Sequence, residues 1–222
     1  VKVVQTLFTV IFDPDFLKTV WYSAARILGG FFTALTLGTV LGWVASRFWV
    51  VETLLRPITA AIKATPVASF IILVLLWFSG KNLSVIISML MVFPVIYMNV
   101  LEGIRSADEE LLEMAQVFRL SVSKKLLYIY LPAVAPFFVS ACSVSLGLCW
   151  KSGIAAEVIG TPDGSIGAVF YQAKIFLQTS ELLAWTVVVV AVSVAFEKLF
   201  MLLLRLVLKK LKMEDVLNGK RA

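Results

Sequence analysis

The sequence predicts an all-α membrane protein with about five membrane-spanning helices, and three observations carry this. First, 60% of the 222 residues are hydrophobic, only 15% are charged, and the mean hydropathy is +0.96. Soluble domains carry about 45–50% apolar and about 25% charged residues, so a larger core does not absorb the excess. Second, the apolar residues gather in runs near 20–48, 59–78, 83–100, 131–150 and 182–208. Each approaches or exceeds the roughly 20 residues that cross a bilayer as a helix. Third, Lys and Arg concentrate in alternate connections: Arg47/Arg56/Lys63, then Arg105/Arg119/Lys124/Lys125, then Lys209/Lys210/Lys212/Lys220/Arg221. Cytoplasmic loops carry that excess, so residues near Lys18 are expected outside and the C-terminus inside.

Composition also excludes functions. The net charge is +6, but the cations flank apolar runs and form no stripe, which argues against a nucleic-acid partner. The chain has no His, so His-based metal sites, proton relays and triads are ruled out. Cys142 and Cys149 lie seven residues apart in one apolar run. On a helix that is about 10 Å, beyond disulfide reach, and they read as packing residues. The sequence contains no G-x-x-x-x-G-K-[ST] loop, no G-x-S-x-G elbow and no H-E-x-x-H motif. No ATP site, cofactor, metal or catalytic group of its own is therefore expected.

Residues 1–19 read as an interfacial helix or the remnant of an N-terminal span, because the apolar stretch before Asp13-Pro14-Asp15 is too short to cross. The permease domain is expected over 20–208, with a basic cytoplasmic tail at 209–222. In the first span, Gly30, Ala34, Gly38 and Gly42 recur every fourth residue. They place four small side chains on one face for close helix packing. Trp21, Trp43 and Trp49 bracket this span as interfacial anchors. In the second span Lys63 snorkels inward and Pro66 predicts a kink. Residues 79–82 read as a tight outer turn. Pro132 and Pro136 fall in the first turns of the fourth span, where missing donors cost least. The segment 151–181 reads as a polar outer connection whose 154–159 part dips back into the membrane.

Residues 106–130 form a mixed-charge loop between the third and fourth spans. Ser106 or Asp108 caps a helix with Glu109 and Glu110 at its positive end. Leu111, Leu112, Ala115 and Phe118 make an apolar stripe, and a second short helix is expected over 121–130. The loop then reads Glu113-Met114-Ala115, three residues, Arg119, nine residues, Ile129-Tyr130-Leu131-Pro132.

This spacing resembles the Glu-Ala-Ala…Gly…Ile-x-Leu-Pro loop of ABC importer permease subunits. The flanking motifs resemble the nitrate/sulfonate/taurine-type branch: Ser23-x-x-Arg26-x-x-x-Gly30-Phe31, Ile62-x-x-x-Pro66, Trp77-Phe78, Phe93-Pro94 and Leu148-x-Trp150 with Ala155-Ala156-Glu157. The resemblance implies the type I importer permease fold, with cytoplasmic coupling helices between spans 3 and 4. It implies one more N-terminal span in many relatives. It also implies partners: two ABC ATPase subunits, an extracytoplasmic solute-binding protein and a second permease chain, simplest as a homodimer, in a bacterial inner membrane. On this basis Glu109, Leu112, Glu113, Ala115, Gln116, Phe118, Arg119, Leu120 and Ser121 are the expected ATPase-coupling residues. Arg119 stands where the family has Gly. Arg resists the turn that Gly permits, so the turn is expected at Leu120–Ser121 instead.

Ionisable groups at membrane depth are candidates for the pathway. Trp150, Lys151 and Glu157 are expected in a re-entrant stretch near an outer gate, where a cationic Lys151 suits an anionic substrate such as a sulfonate or nitrate; the transported molecule is expected to be a small anionic or organic solute. The competing reading has Lys151 snorkelling outward and Glu157 capping a helix. Lys151 and Glu157 are about 240° apart on a helix, so they do not pair there. Glu197 and Lys198 read as locally paired or snorkelling, and Asn99, Glu102 and Arg105 as braces for the coupling loop. The rival function is a stand-alone secondary transporter or channel, which needs mid-span co-ion groups that the sequence does not supply.

Overall fold

The computed structural model describes residues 2–211, and every element among them is helical. The helices are α1 (Lys2–Ile11), α2 (Phe16–Arg47), α3 (Trp49–Ala64), α4 (Val67–Trp77), α5 (Gly80–Arg105), α6 (Glu109–Val117), α7 (Val122–Lys125), α8 (Leu131–Gly160), α9 (Ile166–Ile175) and α10 (Thr179–Lys210). A single π-helical turn, Leu126–Tyr130, joins α7 to α8 without a break. Four helices are long and apolar enough to cross a membrane: α2, α5, the continuous Val122–Gly160 rod and α10. The pair α3 and α4 would make a fifth if counted as one broken span. The basic residues Lys212, Lys220 and Arg221 of the expected tail lie outside the described residues.

The centre of the bundle is α2, α5 and α8. Ile27, Phe31 and Ala34 of α2 meet Val92 and Ile96 of α5 and Cys142, Leu146 and Cys149 of α8 in one buried cluster. The small-residue face of α2 permits this. A Cβ added to Gly30 would lie 2.4 Å from the Val85 carbonyl oxygen, and one added to Gly38 would lie 3.0 Å from the Ile96 side chain. Gly42 meets Val100 and Tyr97 in the same way, and Ala34 is fully buried. Helices in lipid gain no hydrophobic drive from meeting each other, so such close backbone approach supplies the packing energy. Ser88 Oγ donates to the Cys149 carbonyl at 3.2 Å, a buried α5–α8 bond. Cys142 and Cys149 are both free and buried in this core. By contrast, only 6% of the most apolar window of α10 is buried. Its outer face is left for lipid or a partner.

Four sequence expectations are corrected here. The second span is not one helix from 59 to 78. The chain is helical from Trp49, breaks at Thr65–Pro66 and turns by 108° into α4. Pro66 removes an amide donor and pushes Thr65 into extended backbone (φ −82, ψ 131), which ends α3. With 11 residues α4 is about 16 Å long and cannot cross alone. The turn expected at 79–82 is shorter, because α5 already begins at Gly80. Gly80 lies against the Gly160 backbone, where an added Cβ would be 2.4 Å from its carbonyl oxygen.

Pro132 does not open a new helix. The helix is already running when it reaches Pro132, which cannot donate to the Tyr128 carbonyl. The ladder adapts by a π turn, in which the Leu131 amide reaches back five residues to the Leu126 carbonyl. Finally, 154–159 is not re-entrant, because α8 runs unbroken through it to Gly160. Its interior Gly153 is tolerated because it lets Ile27 and Ser88 close in. The stop comes at Thr161, which adopts left-handed backbone (φ 40) just before Pro162.

Candidate functional site: the coupling loop and the outer end of α8

The loop helix α6 starts as its residues require. Asp108 Oδ1 accepts from the amides of Glu110 (2.9 Å) and Leu111 (3.4 Å), and Glu109 and Glu110 sit at the positive end of the dipole. The expected apolar stripe divides between two faces. Ala115 is buried with Ala107 and Ile129, and Leu112 and Leu120 pack against them. This row seats α6 on the base of the α8 rod. Leu111, Met114, Val117 and Phe118 point the other way, at 47%, 54%, 79% and 71% exposure. Apolar side chains at i, i+3, i+6 and i+7 form an outward ridge. Glu109, Glu113, Gln116 and Ser121 are exposed around it. Leu112, Ala115 and Leu120 therefore hold the loop in place and do not face outward. The stripe splits because it is wider than the single row that reaches the rod.

The turn after α6 is made at Arg119 itself, which corrects the expectation of Leu120–Ser121. Arg119 adopts left-handed backbone (φ 51). Its amide donates to the Gln116 carbonyl at 3.0 Å, and the Leu120 amide reaches the Ala115 carbonyl at 2.9 Å. These paired bonds close the helix as a Schellman motif, whose left-handed position Gly fills most readily. A β-carbon there costs about 1–2 kcal/mol, which the bonds and the burial of Leu120 offset. Arg119→Gly should thus stabilise the end of α6 by about 1 kcal/mol. Slower amide exchange at Leu120 is the measurement; faster exchange would contradict it.

At the far end of α8, Trp150, Lys151 and Glu157 are not brought together. Trp150 is 2% exposed and belongs to the central core. Lys151, about 100° further round the helix, is exposed, and the helix continues nine residues beyond it, about 14 Å. Lys151 thus lies well inside the rod and does not follow its end. The exposed side chains of Pro136, Ser140 and Val144 share this face, and a Cβ added at Gly147 would meet open space.

Glu157 is fully buried. Its Oε2 accepts from Ser23 Oγ at 2.6 Å and from the Gly167 amide at 3.4 Å. Ser23 Oγ in turn accepts from the Ile166 amide at 2.9 Å. The carboxylate therefore caps the amino end of α9 from another helix, where the dipole favours an anion. Gly167 is required for this approach, since a Cβ there would fall 2.2 Å from the Glu157 Cβ. The reading of Glu157 as a helix cap matches this geometry, but the capped helix is α9 and the gate position is not found. Ser23 and Gly167 were invisible as its partners because they lie 134 and 10 residues away in the chain.

Of the other charged residues, Arg105 pairs with Glu52 and ties α5 to α3 rather than to the coupling loop. Glu197 accepts from Ser143 Oγ of α8 at 2.9 Å rather than pairing with Lys198.

Residues 34–213 match the family described as "Binding-protein-dependent transport system inner membrane component". Three relatives illustrate the range. A protein of Bacillus subtilis named for aliphatic sulfonates transport is 28% identical over 94% of this chain and 76% of its own. The taurine transport system permease protein of Escherichia coli is 26% identical over 88% of this chain and 73% of its own. The bicarbonate transport system permease protein of Synechococcus elongatus is 24% identical over 85% of this chain and 68% of its own. The match covers most of the chain and both ends of the α8 rod, so the protein belongs to the binding-protein-dependent transport family and is a membrane permease subunit of an ABC importer.

Proposed function

We propose that this permease carries a small inorganic or organic anion inward, driven by two ABC ATPase subunits docked on the outward ridge of α6. The observation that carries this reading is the two-faced α6. One row fastens it to the long α8 rod, and the other is a solvent-facing apolar ridge set among acids. A rigid helix of that kind fills a groove in a partner and passes rigid-body movement to the helices above. The ridge lies at the cytoplasmic end if the basic connections mark the inside. A solute-binding protein then docks at the opposite end, near the 161–165 loop, and the C-terminus is cytoplasmic. A second copy of the chain completes the pathway against the exposed face of α8.

Support for an anion comes from that face and from the relatives. Lys151 is the one charge on it among the described residues. The relatives are named for sulfonates, taurine and bicarbonate, and each name denotes a molecule bearing an anionic group. A lone cation in a dehydrated pathway attracts an anion strongly because solvent screening is weak there. Uptake of taurine, methanesulfonate, nitrate and bicarbonate by vesicles carrying the assembled complex tests this directly. Lys151→Ala should lower uptake of the accepted anion about tenfold and Lys151→Glu should abolish it, with ATP hydrolysis intact. Unchanged uptake and preference in Lys151→Ala would remove Lys151 from the pathway.

A further inference from the structure

We infer that Glu157 is a positioning residue of the transport cycle: the joint through which α8 moves α9 and α2 together with the coupling loop. The inference rests on the permease reading but concerns a group outside the pathway face. Three observations lead to it. The first is continuity. One helical rod, Val122–Gly160, begins beside the seat of α6 and ends just past Glu157. From Leu131 to Glu157 it is about 39 Å with no break, so displacement at its base must appear at Glu157.

The second observation is connectivity. The carboxylate and Ser23 bind each other and also the first two amides of α9, so one four-group cluster fastens three separate elements. Ser165 Oγ accepts from the Ala168 amide at 3.0 Å, so the opening of α9 has no amide to spare for another partner. Around this cluster α8 and α9 are joined in the chain only by the loop 161–165. That loop contains two left-handed residues, Thr161 and Gly164. Across that short connection the cluster is the side-chain link that ties the start of α9 to α8 and α2.

The third observation is cost. The carboxylate is fully buried, at a depth where a neutral side chain of the same size would be cheaper. Its other oxygen, Oε1, makes no hydrogen bond of ordinary geometry; the Ser84 hydroxyl and the Arg26 cation are the polar groups that act on the carboxyl from beside it. Packing alone does not call for an acid here. Simultaneous acceptance from a hydroxyl and a helix terminus calls for an acceptor oxygen at this position, because one oxygen serves both donors. Gly167 lets the start of α9 come this close to α8, since an added Cβ would fall 2.2 Å from the Glu157 Cβ and 2.3 Å from its backbone carbonyl carbon.

The test uses the assembled complex in vesicles, with the Glu157→Ala, Glu157→Gln and Ser23→Ala variants. ATP hydrolysis and uptake are measured together for whichever of taurine, methanesulfonate, nitrate or bicarbonate the unaltered complex accumulates. Glu157→Ala should assemble and hydrolyse ATP within about twofold of normal while solute moved per ATP falls at least tenfold. Glu157→Gln keeps an acceptor oxygen and should retain at least a third of normal coupling. Ser23→Ala should fall between the two. Normal coupling in Glu157→Ala would overturn the inference. So would hydrolysis and uptake falling in step with the yield of complex, or Glu157→Gln as impaired as Glu157→Ala. If the unaltered complex accumulates none of the four anions, the substrate reading fails first. The joint is then judged by whether the same variants alter the ATP-dependent protection of α9 amides from exchange.

Discussion

Replacing Val117 with Asp should separate ATP hydrolysis from transport while leaving the protein in the membrane. Val117 is 79% exposed on α6 and lies outside the cluster that seats the helix. The permease fold should therefore survive the change. On the proposed docking mode the residue sits where the apolar ridge meets a groove, and a carboxylate there would be desolvated without a partner. The loss should be about 3 kcal/mol of docking energy, or about two orders of magnitude in affinity. Glu110 and Glu113 flank the site, so repulsion between like charges adds to the effect. Co-purification of the ATPase with the variant, set against its yield in the membrane, reads the result. Val117→Ile, which keeps the ridge apolar, should behave normally.

The second large effect lies in the core. Gly30→Val should prevent α2 from closing on α5, at a cost of about 3 kcal/mol or more. The obstructing atom is a backbone carbonyl oxygen, that of Val85, with the Ser88 Cβ beside it at 2.8 Å. Neither can swing aside as a flexible side chain would, so the helices must separate along the whole contact. The adjacent Gly29 is the control, because a Cβ there meets nothing within 4 Å. Gly29→Ala should change stability by less than about 0.5 kcal/mol, since α2 remains helical in the bilayer whether or not it is packed. The melting temperatures of the two purified variants measure the difference. Equal stability in both would contradict the packing account.

These cases show what the sequence could and could not disclose. The spans were legible because apolar run length is a one-dimensional property. The small-residue face of α2 was legible because a period of four is too. Loop spacing from Glu113 to Pro132 carried the family. Breaks were harder to place. Pro66 and Pro132 both remove a donor, yet one ended a helix and the other produced a π turn. The difference is what the neighbouring backbone could recruit, which the residue type does not reveal. At Arg119 the intrinsic strain of a non-glycine residue is not decisive. Two backbone bonds and the burial of Leu120 outweigh that strain in the fold.

The apolar stripe of α6 was legible as Leu111, Leu112, Ala115 and Phe118, but its division into two faces was not. Which face turned inward depended on the position of Ile129, and that is a tertiary fact. Glu157 was the hardest case. A carboxylate at the end of an apolar run reads as a gate residue or as a helix cap. Only the arrival of Ser23 and the start of α9 distinguishes them.

The central claim is that the outward ridge of α6, and not its buried row, receives the ATPase. Photo-crosslinking from single positions of the assembled transporter tests it most directly. A photoreactive residue at Met114 or Val117 should capture a protein that carries an ATP-binding phosphate loop, and one at Ala115 or Leu112 should capture only this chain. Capture of the ATPase from Ala115 and Leu112, with none from Met114 or Val117, would contradict the account.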